Sequence, residues 1–543
     1  MSGRSSFLSQ PWRVLRWVGL AAAVPALWAC TSRTLEAPVV TPTQTFTNKV
    51  VQKVNNNLDI LFMVDNSSSM TVMQQKLLAQ LPVFIQVLQG LPMGLPSVHI
   101  AVVSSDMGAV SDQGTAIGCS QTGGDQGLFQ VSPRGTCTTN NFNVATDMYI
   151  TDNASGSEKN FSLPDPMGLQ SVFQCIALLG QAGCGFENQL NSIDRALGAD
   201  GSPPPAANAG FVRDGAYLGI VMLTNEDDCS APAGTDLYSL NGGAQSIGNA
   251  MGPIANYRCN QFGHLCSDAG GPLALPPLNP PADAAGTPPA VALTGCVSAE
   301  NAPGARLIPV SKFVSDIKLL KKDPANQILV AAVTGPTGDP LPSTAPYTVQ
   351  WVAGKGQNKD ESWPELEHSC GPTGDGSFAD PAVRITQFVR AFGANGVLAS
   401  ICDNTYQTSM SAIAMKIGAL IKPKCVAGTI QQDANKQPSC TVTNEVTVGG
   451  ITQNVNIPAC ATNGGTAPCW QLQAPSTMNN CAAGTQALSV SADPNNPNPD
   501  SLDSIIQCAT CITGVSATGC PCTGTNDVSG CLCNGANMPP GCV

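Results

Sequence analysis

Seven residues, Leu58 to Val64, carry six apolar side chains and stop at Asp65-Asn66-Ser67-Ser68-Ser69-Met70. The run is too short to cross a membrane as a helix. Beyond the polar turn, Met73, Leu77, Leu81, Phe84, Ile85 and Leu88 recur at spacings of three and four, the signature of an amphipathic helix. A buried strand, a polar turn and a helix, in that order, place the turn at the carboxyl end of the strand, where open α/β sheets hold their ligands. Asp65, Ser67 and Ser69 alternate, so their side chains can converge on one point. A donor set made only of oxygen suits a hard divalent cation, Mg²⁺ or Ca²⁺, rather than zinc or copper. A solvated serine-rich turn that caps the helix is the plainer use of the same residues, and the two roles are compatible.

The alternation continues along the chain. Val98 to Val103 reads as a neighbouring strand ending in Ser104-Ser105-Asp106, with Asp106 taken as a loop residue. Helical spacing returns at Val172, Phe173, Ile176 and Leu179 and again from Phe186 to Leu197. Tyr217 to Leu223 is a strand that runs into Thr224-Asn225-Glu226-Asp227-Asp228-Cys229. Further strands are expected at 327–333 and 397–402, with helices around Phe313, Phe388 and Ile417. Strands alternating with helices predict an α/β fold, a doubly wound and mostly parallel sheet with right-handed crossovers.

Asp65-x-Ser67-x-Ser69, straight after the first strand, resembles the metal-ion-dependent adhesion site of von Willebrand factor type A domains. The resemblance covers about residues 55–424. It implies that Ser67 and Ser69 contact the cation directly, that Asp65 and Asn225 or Asp227 hold it through water, and that an Asp or Glu of a protein ligand completes the coordination. Two departures stand out. The family usually has Asp directly after the Thr that ends the later strand, and Asn225 occupies that place, followed by three adjacent carboxylates that repel one another unless a cation neutralises them. The family also supplies a Thr from a loop that here reads Ala182-Gly183-Cys184-Gly185; Glu187 is the nearest oxygen donor.

The first residues read as a targeting segment. Arg4, Arg13 and Arg16 precede an apolar run, and Leu27-Trp28-Ala29-Cys30 resembles the lipobox of bacterial lipoproteins. That resemblance implies a signal peptide over 1–29, lipidation of Cys30, a tether over 30–54, and an outer-membrane, cell-surface or periplasmic location with the lipid as sole membrane contact. Trp28 departs from the small residue preferred there. An ordinary secretory signal or an uncleaved anchor is the alternative. Cysteine usage agrees with export: of 23 cysteines, setting Cys30 aside leaves 22, an even number suited to disulfides.

Two stretches read as insertions, 107–168 and 229–305. In the first, a local Cys119–Cys137 bridge is expected; Cys175 and Cys184 bracket a turn and are a second candidate pair. In the second, Cys229, Cys259, Cys266 and Cys296 allow two bridges in three pairings. Residues 425–500 read as a small β-rich disulfide module, and 501–543 as a cysteine-rich tail too poor in apolar residues to build a core. Cys508-x-x-Cys511 has zinc-ligand spacing, but a disulfide knot fits an exported chain better.

A net charge of −12 with only 11% charged residues provides no footprint for nucleic acid or an anionic membrane. Histidines number three, His99, His264 and His368, and no serine-hydrolase elbow, zinc-protease helix or phosphate loop is present, so an enzyme is not expected. The sequence therefore points to an envelope lipoprotein that binds or adheres to a protein through a divalent cation. A structural scaffold subunit with a degenerate metal site is the alternative, and the missing Thr and Asn225 favour it.

Overall fold

Six strands form the central sheet: β1 (Leu58–Val64), β2 (Val98–Ser104), β3 (Ile150–Asp152), β4 (Tyr217–Leu223), β5 (Ile328–Thr334) and β6 (Gly396–Ser400). Their spatial order is β6-β5-β4-β1-β2-β3, parallel throughout except for the antiparallel edge strand β3. The computed structural model describes residues 45–532 apart from short stretches, the longest being 132–141, 338–346 and 492–500. Residues 1–29, with the expected signal peptide, and Cys30 lie outside the described residues, as do Cys137 and the last eleven residues, 533–543.

Every side chain of β1, β4 and β5 is buried, which requires cover on both faces of the sheet. Along β1 the strand alternation sends Ile60, Phe62 and Val64 to one face and Leu61 and Met63 to the other. The first face is covered by α1 (Thr71–Gln89), α2 (Met167–Ala177) and a late helix at Gln407–Ile421, with Phe62 edge-on to Phe84 and Phe173. The second is covered by α3 (Gln189–Leu197), α4 (Val310–Leu319) and α5 (Val383–Arg390), which bring Leu190, Phe313 and Phe388 against the sheet. The expected α/β pattern with a parallel sheet is thus present.

Asp59 interrupts the apolar run of β1 and is fully buried. It accepts hydrogen bonds from the backbone N–H and Nε of Arg213, both at 2.8 Å, and lies 3.7 Å from Lys321 Nζ. A carboxylate inside a sheet is tolerable because it is paired. His99 hydrogen-bonds the Phe211 carbonyl at 3.0 Å, and burial together with Arg213 holds its pKa below the usual value. It is a neutral, packed residue at the end of the sheet opposite Asp65.

The insertion expected over 229–305 and the stretch after β5 together contribute a second, antiparallel sheet. Its strands run in the order Ser362–Leu366, Tyr347–Ala353, Val291–Ser298, His264–Asp268 and Leu273–Ala274. Trp351 and Trp363 are buried on it. Cys229–Cys259 and Cys266–Cys296 are the two bridges of this insertion. In the earlier insertion Cys119 pairs with Cys184, not with Cys137, and Cys184 is therefore unavailable to Cys175, which is bridged elsewhere. A sequence separation of 65 hid the pair, because folding, not proximity along the chain, brings the two loops together.

The C-terminal part departs from the expected boundaries. Residues 45–53, read as tether, form a strand antiparallel to Ser501–Cys511, which pairs on its other side with Cys440–Val448 and through it with Ile451–Ile457. The first residues of the expected tail are thus a central strand, with Ile506 and Cys508 fully buried. Cys508 is bridged to Cys440 directly across the ladder and Cys511 to Cys520, so the two do not form a zinc pair. Cys370–Cys402, Cys425–Cys481, Cys460–Cys469 and Cys522–Cys531 add to a disulfide frame that belongs to an exported chain. No helix among the described residues is long and apolar enough to cross a membrane.

Asp194, buried on α3, makes a testable contribution to stability. Burial first, and the Asp316 charge second, push its carboxyl up to about 8, against a partial offset from Lys312 at 3.8 Å. Between about pH 4 and pH 8 the folded protein keeps a proton there that the unfolded chain has released, so stability must fall as pH rises through that window. Urea unfolding across the window should show this decline for the natural chain and a flatter profile for Asp194→Asn.

Candidate functional site

The carboxyl ends of β1, β4 and β5 are stitched together by their own backbones. Asp65 N–H donates to Leu223 O at 2.9 Å, and Thr224 N–H donates to Val333 O at 3.2 Å. This leaves the side chains that follow each strand facing a common space. Asp65 is fully buried there. Its Oδ1 accepts from Ser67 N–H at 2.8 Å, an Asx turn, and from Ser105 Oγ at 3.1 Å; its Oδ2 accepts from Thr224 Oγ1 at 2.7 Å. Burial raises the Asp65 pKa, and these hydrogen bonds pull against the rise.

Ser67 Oγ lies 3.3 Å from Ser69 Oγ, and Ser69 Oγ donates to Asn225 Oδ1 at 3.1 Å. Asn225 in turn donates through Nδ2 to Phe378 O at 3.1 Å. The structure therefore brings together Asp65, Ser67, Ser69 and Asn225, from sites 160 residues apart in the chain.

Asp227 does not join them. Its Oδ2 accepts from His264 Nε2 at 2.7 Å and from Arg384 N–H at 2.8 Å; its Oδ1 accepts from Ile385 N–H at 3.1 Å and Asp228 N–H at 2.9 Å. His264 is itself buried and bonded through Nδ1 to Tyr347 Oη at 2.7 Å. Asp228 accepts from Leu190 N–H at 2.9 Å and from Arg384 Nη2 at 2.9 Å. The two aspartates thus cap the first turns of α5 and α3, where unpaired N–H groups and the helix dipole favour a negative charge. Their repulsion is met by Arg384 and the helix ends.

Glu226 turns the other way. It is partly exposed and accepts from Asn256 Nδ2. Burial and the charges of Asp380 and Asp65 push Glu226 up to about 8. Glu187 is 2% exposed and is also raised well above its usual value, by burial first and then by Glu226 and Asp65. Its Oε1 is buried with no hydrogen-bond partner. Neither glutamate follows from the Asp-x-Ser-x-Ser pattern; the sequence signals were the run of three carboxylates after Asn225 and the position of Glu187 after the loop that lacks Thr.

That loop is held tightly. Gln74 on α1 donates through Nε2 to Asp65 O at 2.8 Å and Gly180 O at 2.9 Å, and accepts from Gly180 N–H at 3.0 Å. Gly183 N–H donates to Asn66 O at 2.9 Å, and a Cβ on Gly183 would stand 2.1 Å from Asn66 Oδ1, so any larger residue must displace the Asn66 side chain. The Cys119–Cys184 bridge fixes the next residue. On the opposite rim, His368 bonds Asp380 Oδ1 at 2.6 Å and stacks on Phe378 at 4.2 Å, and the Asp380 bond raises its pKa. Asp106 lies elsewhere, accepting from Gly108 N–H at 2.9 Å.

Among the described residues no three His, Cys, Asp or Glu side chains cluster as a metal-ligating group. The oxygen groups brought together at the turn are the Asp65 carboxylate, the Ser67 and Ser69 hydroxyls and the Asn225 amide oxygen. That set fits a hard divalent cation.

No protein-family model and no curated protein matches the chain. Solved structures similar to it include the pilus adhesin SpaC from Lactobacillus rhamnosus GG in an open conformation, at 11% identity and a TM-score of 0.27, covering 86% of this chain and 41% of that one. The three N-terminal domains of the type V pili tip protein Mfa5 from Porphyromonas gingivalis match at 11% identity and 0.27, covering 87% and 66%. The human COPII-coat protein Sec24c matches at 6% and 0.27, covering 86% and 46%. The chain thus spans between 41% and 66% of the length of these structures, and a superposition this loose assigns nothing to it.

The capping roles can be checked directly. Asp228→Ala removes the α3 cap and leaves the Arg384 guanidinium buried without its partner, and should cost about 3–5 kcal/mol in chemical denaturation.

Proposed function

We propose that this chain is an exported, envelope-associated protein whose von Willebrand factor type A-like domain uses a divalent cation to bind a protein partner. The observation that carries this reading is the convergence of Asp65, Ser67, Ser69 and Asn225 at the carboxyl ends of β1 and β4 in a buried parallel sheet. The Ser67 and Ser69 hydroxyls would face the ion. Asp65 and Asn225 would hold it through water, with Asp65 kept in place by Ser105 and Thr224. The ion, Mg²⁺ or Ca²⁺, supplies positive charge at the protein surface; the chain supplies rigid positioning through the paired strand ends and the Gln74-braced loop. Lipidation at Cys30 would tether the domain to the outer membrane, and no part of the proposal calls for catalysis.

A second reading is favoured by one specific observation. Both oxygens of Asp65 already accept internal donors, and Asp227 is given over to a helix cap, so the same geometry also serves a scaffold protein whose site no longer needs an ion. Thermal melting of the exported chain with added CaCl₂ or MgCl₂ separates the two. An ion present at a hundred times its dissociation constant adds about 2.7 kcal/mol to stability. The binding reading expects a rise in melting temperature that Asp65→Asn and Ser69→Ala each abolish. Melting temperatures indifferent to both salts would leave the scaffold reading standing.

A further inference from the structure

Asn225 is held from a distant segment. Its backbone O accepts from Asp380 N–H at 2.8 Å, and its Nδ2 donates to Phe378 O at 3.1 Å. Residues 378–380 are flanked in turn by residues 368–370. Ser369 N–H and Cys370 N–H donate to Ala379 O at 2.7 and 3.4 Å, and Ala379 N–H donates to Cys370 O at 3.0 Å. The His368 ring lies on Phe378, and its Nδ1 meets Asp380. One covalent link, Cys370–Cys402, ties this outer arm to the chain just beyond β6. Between the arms Asp375 pairs with Lys76 of α1 at 3.1 Å, but the Asp375 side chain is 39% exposed, so water screens the pair.

The bridge is also the accessible one. Cys370 and Cys402 are both partly exposed, whereas every other disulfide between described residues has at least one buried cysteine. Exchange requires a thiolate to reach a sulfur of the bridge, and exposed disulfides are the labile ones.

We propose that Cys370–Cys402 is a thiol–disulfide exchange site, opened by a dithiol reductant, that governs how firmly Asn225 is held. One thiolate of the reductant attacks a sulfur of the bridge, breaking the S–S bond and forming a mixed disulfide. The second thiol of the reductant then displaces the remaining cysteine. The dithiol gives up two electrons and leaves as a disulfide; Cys370 and Cys402 take up those electrons and two protons and are left as thiols. Freed from residue 402, the outer arm keeps its hydrogen bonds to Ala379 and the screened ion pair of Asp375. Its separation withdraws the His368 ring from Phe378 and the neighbouring strand from residues 378–380. Ala379 is fully buried, so the inner arm stays seated and the loosening is confined to Phe378, Asp380 and Asn225. The exchange site stands on contacts and exposure alone; its effect on ion binding rests on the cation reading above.

Stepwise reduction of the full exported chain with dithiothreitol, followed by alkylation and mass-spectrometric peptide mapping, tests the site. Cys370 and Cys402 should be labelled together, before any other cysteine and while tryptophan fluorescence still reports a folded chain. In the opened chain the Asp380 amide should exchange with deuterium about tenfold faster or more, with the amides of β1 and β4 unchanged. The double variant Cys370→Ala with Cys402→Ala, which leaves no unpaired thiol, should reproduce this without an alkyl group. Another bridge opening first, or these two sulfurs reacting only as the chain unfolds, would overturn the exchange site. An Asp380 amide equally protected in the opened forms would overturn the grip on Asn225. Titration of the closed and opened chains with CaCl₂ and MgCl₂ tests the consequence: weaker binding is expected after opening, and equal affinity would cut the link between bridge and ion. A natural chain that binds neither ion removes the cation reading, while labelling and amide exchange still decide the exchange site.

Discussion

One buried carboxylate ties the working end of this protein together. Asp65 ends the central strand and accepts hydrogen bonds from its own turn, from Ser105 after β2 and from Thr224 after β4. Three strand ends are thereby locked to a single side chain. A parallel sheet covered on both faces has few places for polar groups except where its strands stop. The alignment of Val64 with Ser104 and Leu223 brings those stops to one level, so the polar residues that follow are forced into contact. The pairing of Ser67, Ser69 and Asn225 follows from that registry.

The acidic turn after β4 shows how burial sorts identical chemistry into different roles. Asp227 and Asp228 face the first turns of α5 and α3 and are neutralised by N–H groups, His264 and Arg384. Glu226, one residue earlier, instead accepts from the Asn256 amide, and burial with the charges of Asp380 and Asp65 raises its pKa. The two aspartates therefore hold helices in place, while the glutamate reaches the insertion through Asn256. The Asp227–His264–Tyr347 chain also joins the turn to the antiparallel sheet of the insertion, so that the inserted sheet and the central sheet brace the same corner.

Covalent links do for the loops what apolar packing does for the sheet. Cys119–Cys184 secures the loop that meets Asn66, and Cys370–Cys402 ties the segment leading to Asp380 to the chain just beyond β6. A chain with this much glycine and proline has long connections whose ordering entropy is large, and closing them in advance reduces what folding must overcome. In the C-terminal sheet the Cys440–Cys508 link crosses the ladder that joins residues 45–53, 440–457 and 501–511.

Periodicity alone determined the parallel strands of the central sheet, the helices that cover it and their alternation, because a strand buried on both faces and a helix buried on one leave distinct patterns in composition. The turn at Asp65, Ser67 and Ser69 was legible for the same reason: it interrupts such a pattern. What each acidic residue would do was not legible. Asp227 and Glu226 are neighbours of similar charge, and only the positions of α5 and of Asn256 decided that one caps a helix and the other meets an amide. The partners of Cys119 and the strand at residues 45–53 were hidden likewise, since both depend on segments brought from far along the chain. Local pattern fixes local structure, but charge pairing, disulfide pairing and strand partnering are set by distances in space, and those exist only once the chain has folded.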